Sequence, residues 1–358
     1  MTGAVTVVPV TGIGEVTTGS DLGRILLDAL RAQGLTLVDG DVLVVSSKLV
    51  SKAQGLREHA DREEVVARQS RRVVAERLTS VGTTRIVESV AGPVMTAAGV
   101  DASNTGPEGG VLVLPPDPDL AARDLYAALV AAHAPAPLPL VGVVLSDTSG
   151  RTWREGQVDF ALGACGLRVL DDLRGGTDAD GRPLSVTARA VADEVAAAAD
   201  LVKGKASGVP AALVRGLPEG TTTPPVGRGA AELLRSGPTD WFALGASEAV
   251  RSALGVPPGS AAAREVGLAS VFPEERETRL ARALRLARHG VDPEAATVTV
   301  TAPSPELTEV RVSGPDPVAV GRLSARVEIA LHSERLAGPL ADPAEGTVRV
   351  TVQAPVRD

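Results

Sequence analysis

The sequence predicts a mixed α/β (α+β) body followed by a small C-terminal α+β domain. Short valine-rich runs bounded by Gly, Pro or Asp are typical of buried strands, and helical patterns lie between some of them. The character of the chain changes at the stretch LPEGTTTPPVGRG, residues 217–229, whose Thr, Pro and Gly content indicates an exposed connection. We therefore predict two domains, residues 1–240 and residues 241–358.

The elements of the predicted body alternate along the chain. Asp61 followed three residues later by Glu64 is a capping-box arrangement, which predicts a helix from 61 to 78. The alanine-rich segment 188–202 and the apolar spacing of segment 21–32 predict two further helices. The predicted strands are Val5 to Val10, Val42 to Val45, Val111 to Leu114 and Val141 to Leu145.

The predicted C-terminal domain combines helices with alternating strands. Beyond Asp240, two helical patterns end near Leu254 and His289. An amphipathic helix follows two of the three predicted strands. The strands are Thr297 to Thr301, Glu309 to Ser313 and Thr347 to Gln353, and the apolar residues of the helix are Val320, Leu323, Val327 and Leu331.

Composition excludes several classes of protein. The 358 residues carry a formal net charge of −8 with acidic and basic residues interspersed, so neither a nucleic-acid footprint nor a polybasic membrane surface is expected. Prolines interrupt the longest apolar tract, 127–145, so no membrane span is expected there. The single Cys165 excludes a disulfide within the chain and a thiolate zinc site. We expect a cytoplasmic protein with small-molecule partners.

Four polar clusters directly follow strand-like runs, where ligands gather in open α/β sheets. In the first, PVTGIGEV, Gly12 and Gly14 permit a tight turn that presents N–H groups to an anion, although a Gly pair after a first strand is more often a plain turn. In the second, GDVLVVSSKLVSKAQG, Ser47, Lys48 and Lys52 are suited to phosphate oxygens. The second cluster lacks the glycine frame of a P-loop, and solvated lysines at a helix start are the alternative.

The other two clusters offer oxygen ligands. In AAGVDASNTGPEGG, Asp101 and Asn104 suit a hard cation and a nucleotide, although an Asx-turn is the simpler explanation. In VVLSDTSGRTWREGQVDFALG, Asp147 and Thr148 are suitable ligands for magnesium or manganese. A helix cap would explain Asp147 but not the polar residues Arg151, Arg154 and Gln157 that follow. Two carboxylates from separate loops favour a divalent ion that neutralises phosphate charge.

A further feature is the segment KGKASG, which follows the predicted alanine-rich helix. Lys203 and Lys205 either complement the negative end of the helix dipole or clamp a phosphate together with the backbone of Gly204 and Gly208. The residues alone favour the first interpretation.

The order of these clusters resembles the coenzyme F420-0:L-glutamate ligases, which add γ-linked glutamate to a deazaflavin coenzyme. The matching stretches cover roughly residues 4 to 217, and their combination is highly specific. The sequence is most similar to actinobacterial members, whose fused form carries a flavin-binding nitroreductase domain. The stretches that carry the resemblance are VVPVTGIGE, GDVLVVSSKLVSKAQG, AAGVDASNTG, VVLSDTSGRTWREGQVDFALGACGL and ADEVAAAADLVKGK.

The resemblance implies a GTP-dependent enzyme that works as a homodimer with Mg²⁺ or Mn²⁺, with K⁺ as a further candidate ion. It implies metal ligands at Asp101, Asp147 and Thr148. Archaeal members have a metal-binding Gln where this chain has Lys205, which is better suited to phosphate. The residues implied to contact the nucleotide are Ile13, Gly14, Glu15, Val16, Ser47, Lys52 and Asn104, with Lys203, Gly204 and Lys205 in a segment that closes over it.

The chemistry implied is activation of a carboxylate of coenzyme F420-0 by GTP, followed by attack of the glutamate amine on the acyl phosphate. Lys52 would stabilise charge during phosphoryl transfer, and Arg151 or Arg154 would hold a substrate carboxylate. The C-terminal domain is too short for a nitroreductase, so no flavin is expected. Two other functions stay open: a metal-dependent GTP phosphohydrolase or phosphotransferase, and a non-catalytic nucleotide-binding protein.

Overall fold

The computed structural model describes residues 3–80, 82–235, 240, 242–304, 307–336, 340–344 and 347–352. The chain forms two compact units. The first consists of Met1–Arg71 and Glu88–Ser236, and the second of Arg72–Val87 and Gly237–Asp358. The predicted boundary after residue 240 lies close to the division at 236, but the short segment 72–87 groups with the second unit rather than the first.

The first unit contains a five-stranded sheet in the order β1-β12-β2-β8-β9. Strands β2 and β8 are parallel, and the other neighbours are antiparallel. The fold is therefore mixed α/β, as predicted. Its elements are β1 Thr6–Val10, α1 Leu22–Ala32, β2 Val42–Ser46, α2 Ser47–Ala53, β3 Arg57–Glu58, α3 Arg62–Arg68, β4 Ser70–Thr79, β5 Gly82–Ser89, β6 Val94–Thr96, β7 Val111–Leu112, α4 Pro118–His133, β8 Gly142–Arg151, β9 Arg154–Cys165, β10 Asp171–Asp172, β11 Ala188–Arg189, α5 Val191–Lys203 and β12 Ala211–Arg215, although residues 72–79 of β4 and 82–87 of β5 belong to the second unit.

The central strand β2 explains why this sheet is covered on both faces. Its side chains alternate, so that Leu43 and Val45 pack with α1 and α4 on one face. Val42 and Val44 pack with α5 on the other. A strand buried on both faces reads as a continuous apolar run, which is the pattern VLVV that predicted it.

Helices α1 and α4 approach each other closely at Gly23. A Cβ atom placed on Gly23 would lie 2.3 Å from the carbonyl oxygen of Ala128, so only glycine permits this separation of the two backbones. Helix α1 begins as the sequence predicts, because the Asp21 side chain accepts a hydrogen bond from the Arg24 amide at 3.0 Å. The apolar stripe of α1 therefore faces the sheet beside α4.

The predicted helix from 61 to 78 is wrong in its second half. Asp61 caps α3 by accepting from the amides of Glu63 and Glu64, but α3 ends at Arg68 and β4 follows. Beyond that point burial alternates every second residue, with Val74 and Glu76 buried, which is the period of a strand. Strand β4 pairs with β5, and this pairing overrides the helical spacing.

The second unit packs helices against a four-stranded antiparallel sheet of order β13-β14-β16-β15. The valines of β13 and β14 and the apolar stripe of α9 form its core, as the sequence predicts. Strand β15 and helix α7 were not predicted, and the predicted strand residue Gln353 lies outside the described residues. The elements are α6 Ala246–Ala253, α7 Ala261–Val266, α8 Arg276–Arg288, β13 Thr297–Ser304, β14 Leu307–Ser313, α9 Pro317–Ser333, β15 Leu340–Ala344 and β16 Thr347–Val352.

A buried ion cluster lies within the second unit. Arg282, whose side chain is 4% exposed, donates to both carboxylate oxygens of Glu334 and pairs with Glu274 at 2.7 Å. The two carboxylates compensate the buried guanidinium. In the described part of the chain, no helix is long and apolar enough to cross a membrane.

Candidate functional site

The register of the sheet brings the end of β1, the start of β12 and the end of β2 together beside β8, and these positions define one edge of the sheet. Val10 at the end of β1 pairs with Ala211 at the start of β12, which pairs with Val45, and Val45 pairs with Leu145 of β8. Because β1 and β2 end where β12 begins, the loops that follow β1 and precede β12 meet beside the first turn of α2. The polar clusters that are far apart in sequence therefore converge at this edge.

Strand β8 continues past the sheet edge and supplies the central side chains. Thr148 lies directly opposite Asp159 of β9 in the strand register. The Thr148 hydroxyl donates to Asp159 Oδ1 at 2.7 Å, and the Ser146 hydroxyl donates to Asp159 Oδ2 at 2.8 Å. The hydrogen of the Thr148 hydroxyl is thus engaged, and its oxygen accepts from the Lys205 ammonium at 3.3 Å, which leaves one acceptor position of the oxygen.

Lys203 at the end of α5 completes this buried group. Its ammonium donates to Asp159 Oδ2 and to the Ser146 hydroxyl, both at 2.6 Å, and the two charged side chains are each 5% exposed. Burial opposes ionisation of Asp159, but the charge and hydrogen bonds of Lys203 lower its pKa below the usual value. Lys203 is therefore a buried structural cation and not a solvated charge at the end of a helix.

Asp147 has the opposite electrostatic character. Burial raises its pKa from 3.8 to about 6, and the neighbouring charge of Asp159 adds to this effect. Hydrogen bonds from the Ser47 hydroxyl, at 3.2 Å, and from the Thr148 amide oppose it, as does the charge of Lys48. Asp147 is thus a carboxylate whose negative charge the protein compensates only in part.

Two lysines of α2 reach the other side of the site. Lys48 pairs with Asp101 Oδ2 at 2.6 Å and donates to the Ser103 hydroxyl at 2.9 Å. Lys52 pairs with Glu15 Oε1 at 2.6 Å, although the Glu15 side chain is 47% exposed. These ion pairs connect α2 to the loops that follow β1 and precede β7.

The loop that precedes β7 is held by its own contacts. Arg57 donates to the carbonyl oxygen of Thr105 at 2.7 Å and pairs with Glu108 at 3.0 Å. Asn104 has a positive φ of 54° and its amide donates to the carbonyl oxygen of Lys205 at 3.4 Å. The loop thereby meets the segment that follows α5.

Together these elements surround a cavity of about 540 Å³ in the first unit. Most predicted site residues line it, namely Ile13, Gly14, Glu15, Val16, Lys52, Asn104, Asp147, Thr148, Lys203, Gly204 and Lys205. Ser47 is buried behind the cavity wall and acts on it through Asp147. Asp101 contacts the cavity through its ion pair with Lys48.

Arg151 and Arg154 are not brought to this cavity in the described chain. They pair with each other across the tip of the β8–β9 hairpin, where both are exposed. Arg151 donates to the backbone carbonyl of Glu155 at 3.0 Å. Their predicted role with a substrate carboxylate stays a prediction.

Sequence reasoning did not assign several side chains of the site. Asp159 carries a recognisable signal, because it is a buried charged residue within the apolar second half of β9, residues 158–165. Lys48 was one of the polar residues of the second cluster, but nothing in the sequence separated it from Lys52. Asp200, which also lines the cavity, lies in the alanine-rich helix and was not singled out.

The oxygen ligands of the site suit a hard cation. Asp147 and Thr148 present a carboxylate and a hydroxyl to the cavity, and Asp101 lies behind Lys48. No group of three or more His, Cys, Asp or Glu side chains is arranged to hold a metal in the described part of the chain. A bound ion would therefore need oxygen ligands from substrate or water, as Mg²⁺ commonly takes.

The fold and the cavity define a mixed α/β protein with a charged cavity, which four ammonium groups and four carboxylates line. The family model described as F420-0:Gamma-glutamyl ligase matches residues 12–61 and 56–216. The chain belongs to this family.

Curated relatives agree with the family match. Proteins called coenzyme F420:L-glutamate ligase are similar to this chain in Methanopyrus kandleri, with 39% identity over 228 residues, and in Methanothermobacter thermautotrophicus, with 37% over 235 residues. The alignments cover 57% and 60% of this chain and 83% and 90% of the relatives. The relative from Halobacterium salinarum is 40% identical over 228 residues, which are 58% of this chain and 85% of that protein. The family model ends at residue 216, before the C-terminal part of the second unit begins.

Proposed function

We propose that this protein is a GTP-dependent ligase that joins a carboxylate of coenzyme F420-0 to the amine of L-glutamate and releases GDP and phosphate. The observation that carries the proposal is the convergence of the family's matched segments on one cavity lined by Lys48, Lys52, Lys203 and Lys205. The names of the relatives support the two organic substrates. The cation content of the cavity supports a nucleoside triphosphate as the third.

The carboxylate must be activated, because a carboxylate does not react with an amine at neutral pH. Transfer of the γ-phosphoryl group of GTP to the carboxylate oxygen gives an acyl phosphate, from which phosphate is a good leaving group. The transition state of this transfer carries negative charge on the phosphoryl oxygens. Lys52 and Lys205 are the lysines best placed to stabilise that charge. Lys52 pairs with Glu15, whose side chain is partly exposed to solvent, and Lys205 is itself exposed, so neither ammonium is enclosed as that of Lys203 is.

Lys203 has a different role in this proposal. Its ammonium is buried against Asp159 and Ser146, so it acts on the nucleotide only through the position of the side chains around it. The Lys203–Asp159 pair fixes the Thr148 hydroxyl, whose oxygen accepts from Lys205 and keeps one further acceptor position. The pair therefore preorganises the site.

Asp147 and Thr148 would hold a Mg²⁺ or Mn²⁺ ion, with Asp101 as a more distant ligand. When bound, such an ion neutralises the charge of the transferred phosphoryl group. The partial compensation of Asp147 supports this assignment, because a nearby cation would stabilise its ionised form. A homodimer is also part of the proposal and is tested by sedimentation.

The experiment is incubation of the full chain with F420-0, GTP, L-glutamate and Mn²⁺ or Mg²⁺, with mass spectrometry of the coenzyme and measurement of GDP. We expect a coenzyme extended by glutamate and GDP formation that depends on F420-0. The Asp147→Asn variant is expected to lose turnover and keep its fold. GDP release without extended coenzyme would favour a phosphohydrolase, and GTP binding without turnover would favour a non-catalytic protein.

A further inference from the structure

Asp200 differs from the other carboxylates that line the cavity. Glu15 is paired with Lys52, Asp147 accepts from Ser47, and Asp159 accepts from three side chains. Asp200 is partly buried in the last turn of α5, and it makes no hydrogen bond or ion pair through its side chain with any described residue. Since no described side chain uses the carboxylate oxygens of Asp200, they keep their acceptor capacity towards the cavity that Asp200 lines.

The neighbouring lysines do not fill this capacity. Lys203 uses its ammonium on Asp159 and Ser146, and Lys205 donates to the Thr148 hydroxyl at 3.3 Å. Burial and the negative charge of Asp159 raise the pKa of Asp200, and the two lysines oppose this only in part. The negative end of the α5 dipole lies at the same turn and also favours a cation.

We propose that Asp200 binds the α-ammonium group of the amino acid that attacks the acyl phosphate. This inference rests on the proposed function and deepens it, since it identifies the group that recognises the amine substrate. The ammonium is the cation that the reaction itself brings to this cavity, and a carboxylate acceptor gives it a charge-assisted hydrogen bond. Lys52 and Lys205 serve the anionic substrate groups.

Attack of the amine on the acyl phosphate exchanges a C–O bond for a C–N bond and releases two protons. After the ammonium loses one proton, the nitrogen lone pair forms a C–N bond to the acyl carbon and the bond from that carbon to the phosphate oxygen breaks. The nitrogen loses a second proton to become the amide, so that one proton leaves with phosphate and the other reaches solvent. Holding the ammonium next to the acyl carbon places the nucleophile for this attack.

The test separates use of the amine from formation of the acyl phosphate. Hydroxylamine is a small neutral nucleophile that traps an acyl phosphate as a hydroxamate, and it does not require an ammonium site. In the full-length Asp200→Asn variant, we expect the KM for glutamate to rise at least tenfold, whereas hydroxamate formation from F420-0 and GTP stays within twofold of wild type. Asp200→Glu keeps the charge and is expected to recover part of the lost affinity.

Glu194→Gln is the matched control, because Glu194 lies on the same helix but is exposed and paired with Arg189. Its kinetic constants are expected to equal those of wild type. The affinity for Mn²⁺ in the presence of GTP, measured by calorimetry, is expected to be unchanged in Asp200→Asn.

Three results would overturn the inference. An unchanged KM for glutamate in Asp200→Asn would show that the carboxylate does not bind the amine. Loss of hydroxamate formation together with weaker Mn²⁺ binding would show that Asp200 binds a metal instead. If wild-type protein forms hydroxamate and extended coenzyme, the proposed function stands whatever Asp200 does; if it forms neither, the proposed function itself fails and this inference with it.

Discussion

Replacement of Asp147 by Asn should make the metal-free protein more stable although it removes activity. The carboxylate of Asp147 is partly buried, and burial raises its pKa from 3.8 to about 6. Asparagine has nearly the same shape and keeps an oxygen that can accept from the Ser47 hydroxyl. The substitution therefore removes a poorly compensated charge without leaving a void.

The size of the effect follows from the difference between the two pKa values. At pH 7 the ionised group costs the folded state about 3 kcal/mol relative to the unfolded chain, since one pKa unit corresponds to about 1.4 kcal/mol. Solvent screening of a partly exposed group reduces the expected gain in the free energy of unfolding to about 1–2 kcal/mol. For a unit of this size, that gain corresponds to an increase in Tm of about 3–6 °C.

The sign of the pH dependence is fixed by the same shift. Between pH 6 and pH 4 the folded state binds the proton of Asp147 more tightly than the unfolded chain, so wild-type protein gains this stability as the pH falls. The variant lacks the titrating group. The difference between variant and wild type should therefore be present at pH 7.5 and should disappear towards pH 4.

The assay is urea unfolding in EDTA at both pH values, with hydrogen exchange of peptides from β8 and β9 to follow the first unit. Asp159→Asn is the matched control with the opposite outcome, because Asp159 is well compensated and its loss leaves Lys203 buried without its partner. We expect this control to be destabilised by roughly 3 kcal/mol. If Asp147→Asn is no more stable than wild type at pH 7.5, the electrostatic interpretation of this site is refuted.

Three further predictions concern the buried Lys203–Asp159 pair, two glycines in helices and the binding of Mn²⁺. Lys203→Met should lower the free energy of unfolding by roughly 3 kcal/mol, and adding Asp159→Asn to it should restore at least about 1 kcal/mol; an additive double variant would contradict the pairing. Gly23→Ala should cost about 1–3 kcal/mol, because a Cβ there meets the backbone of α4. Gly321→Ala in α9, where a Cβ meets nothing within 4 Å, should instead gain about 0.5–1 kcal/mol in urea unfolding. Binding of Mn²⁺ should weaken about tenfold from pH 7 to pH 5 as Asp147 protonates, and calorimetry that shows no pH dependence would contradict Asp147 as a ligand.

Much of the fold was predictable because most of its elements carry a local signal. The apolar run of β2 and the alanine-rich pattern of α5 identify their own structures, and Asp21 and Asp61 mark the starts of α1 and α3. The error at residues 69–78 arose because a valine- and arginine-rich segment is compatible with either period. Its pairing with β5 decided the matter, and pairing is not a local property.

The sequence by itself determined which side chains are available for chemistry and which runs of residues form the strands that present them. It could not determine their partners, since these lie far away along the chain: Ser47 contacts Asp147 across 100 positions, and Lys203 contacts Asp159 across 44. Strand register and burial decided that Asp159 is compensated, that Asp147 is compensated only in part, and that Asp200 has no donor among the described residues. Charge in a protein interior depends on distance and desolvation, and the tertiary structure sets both.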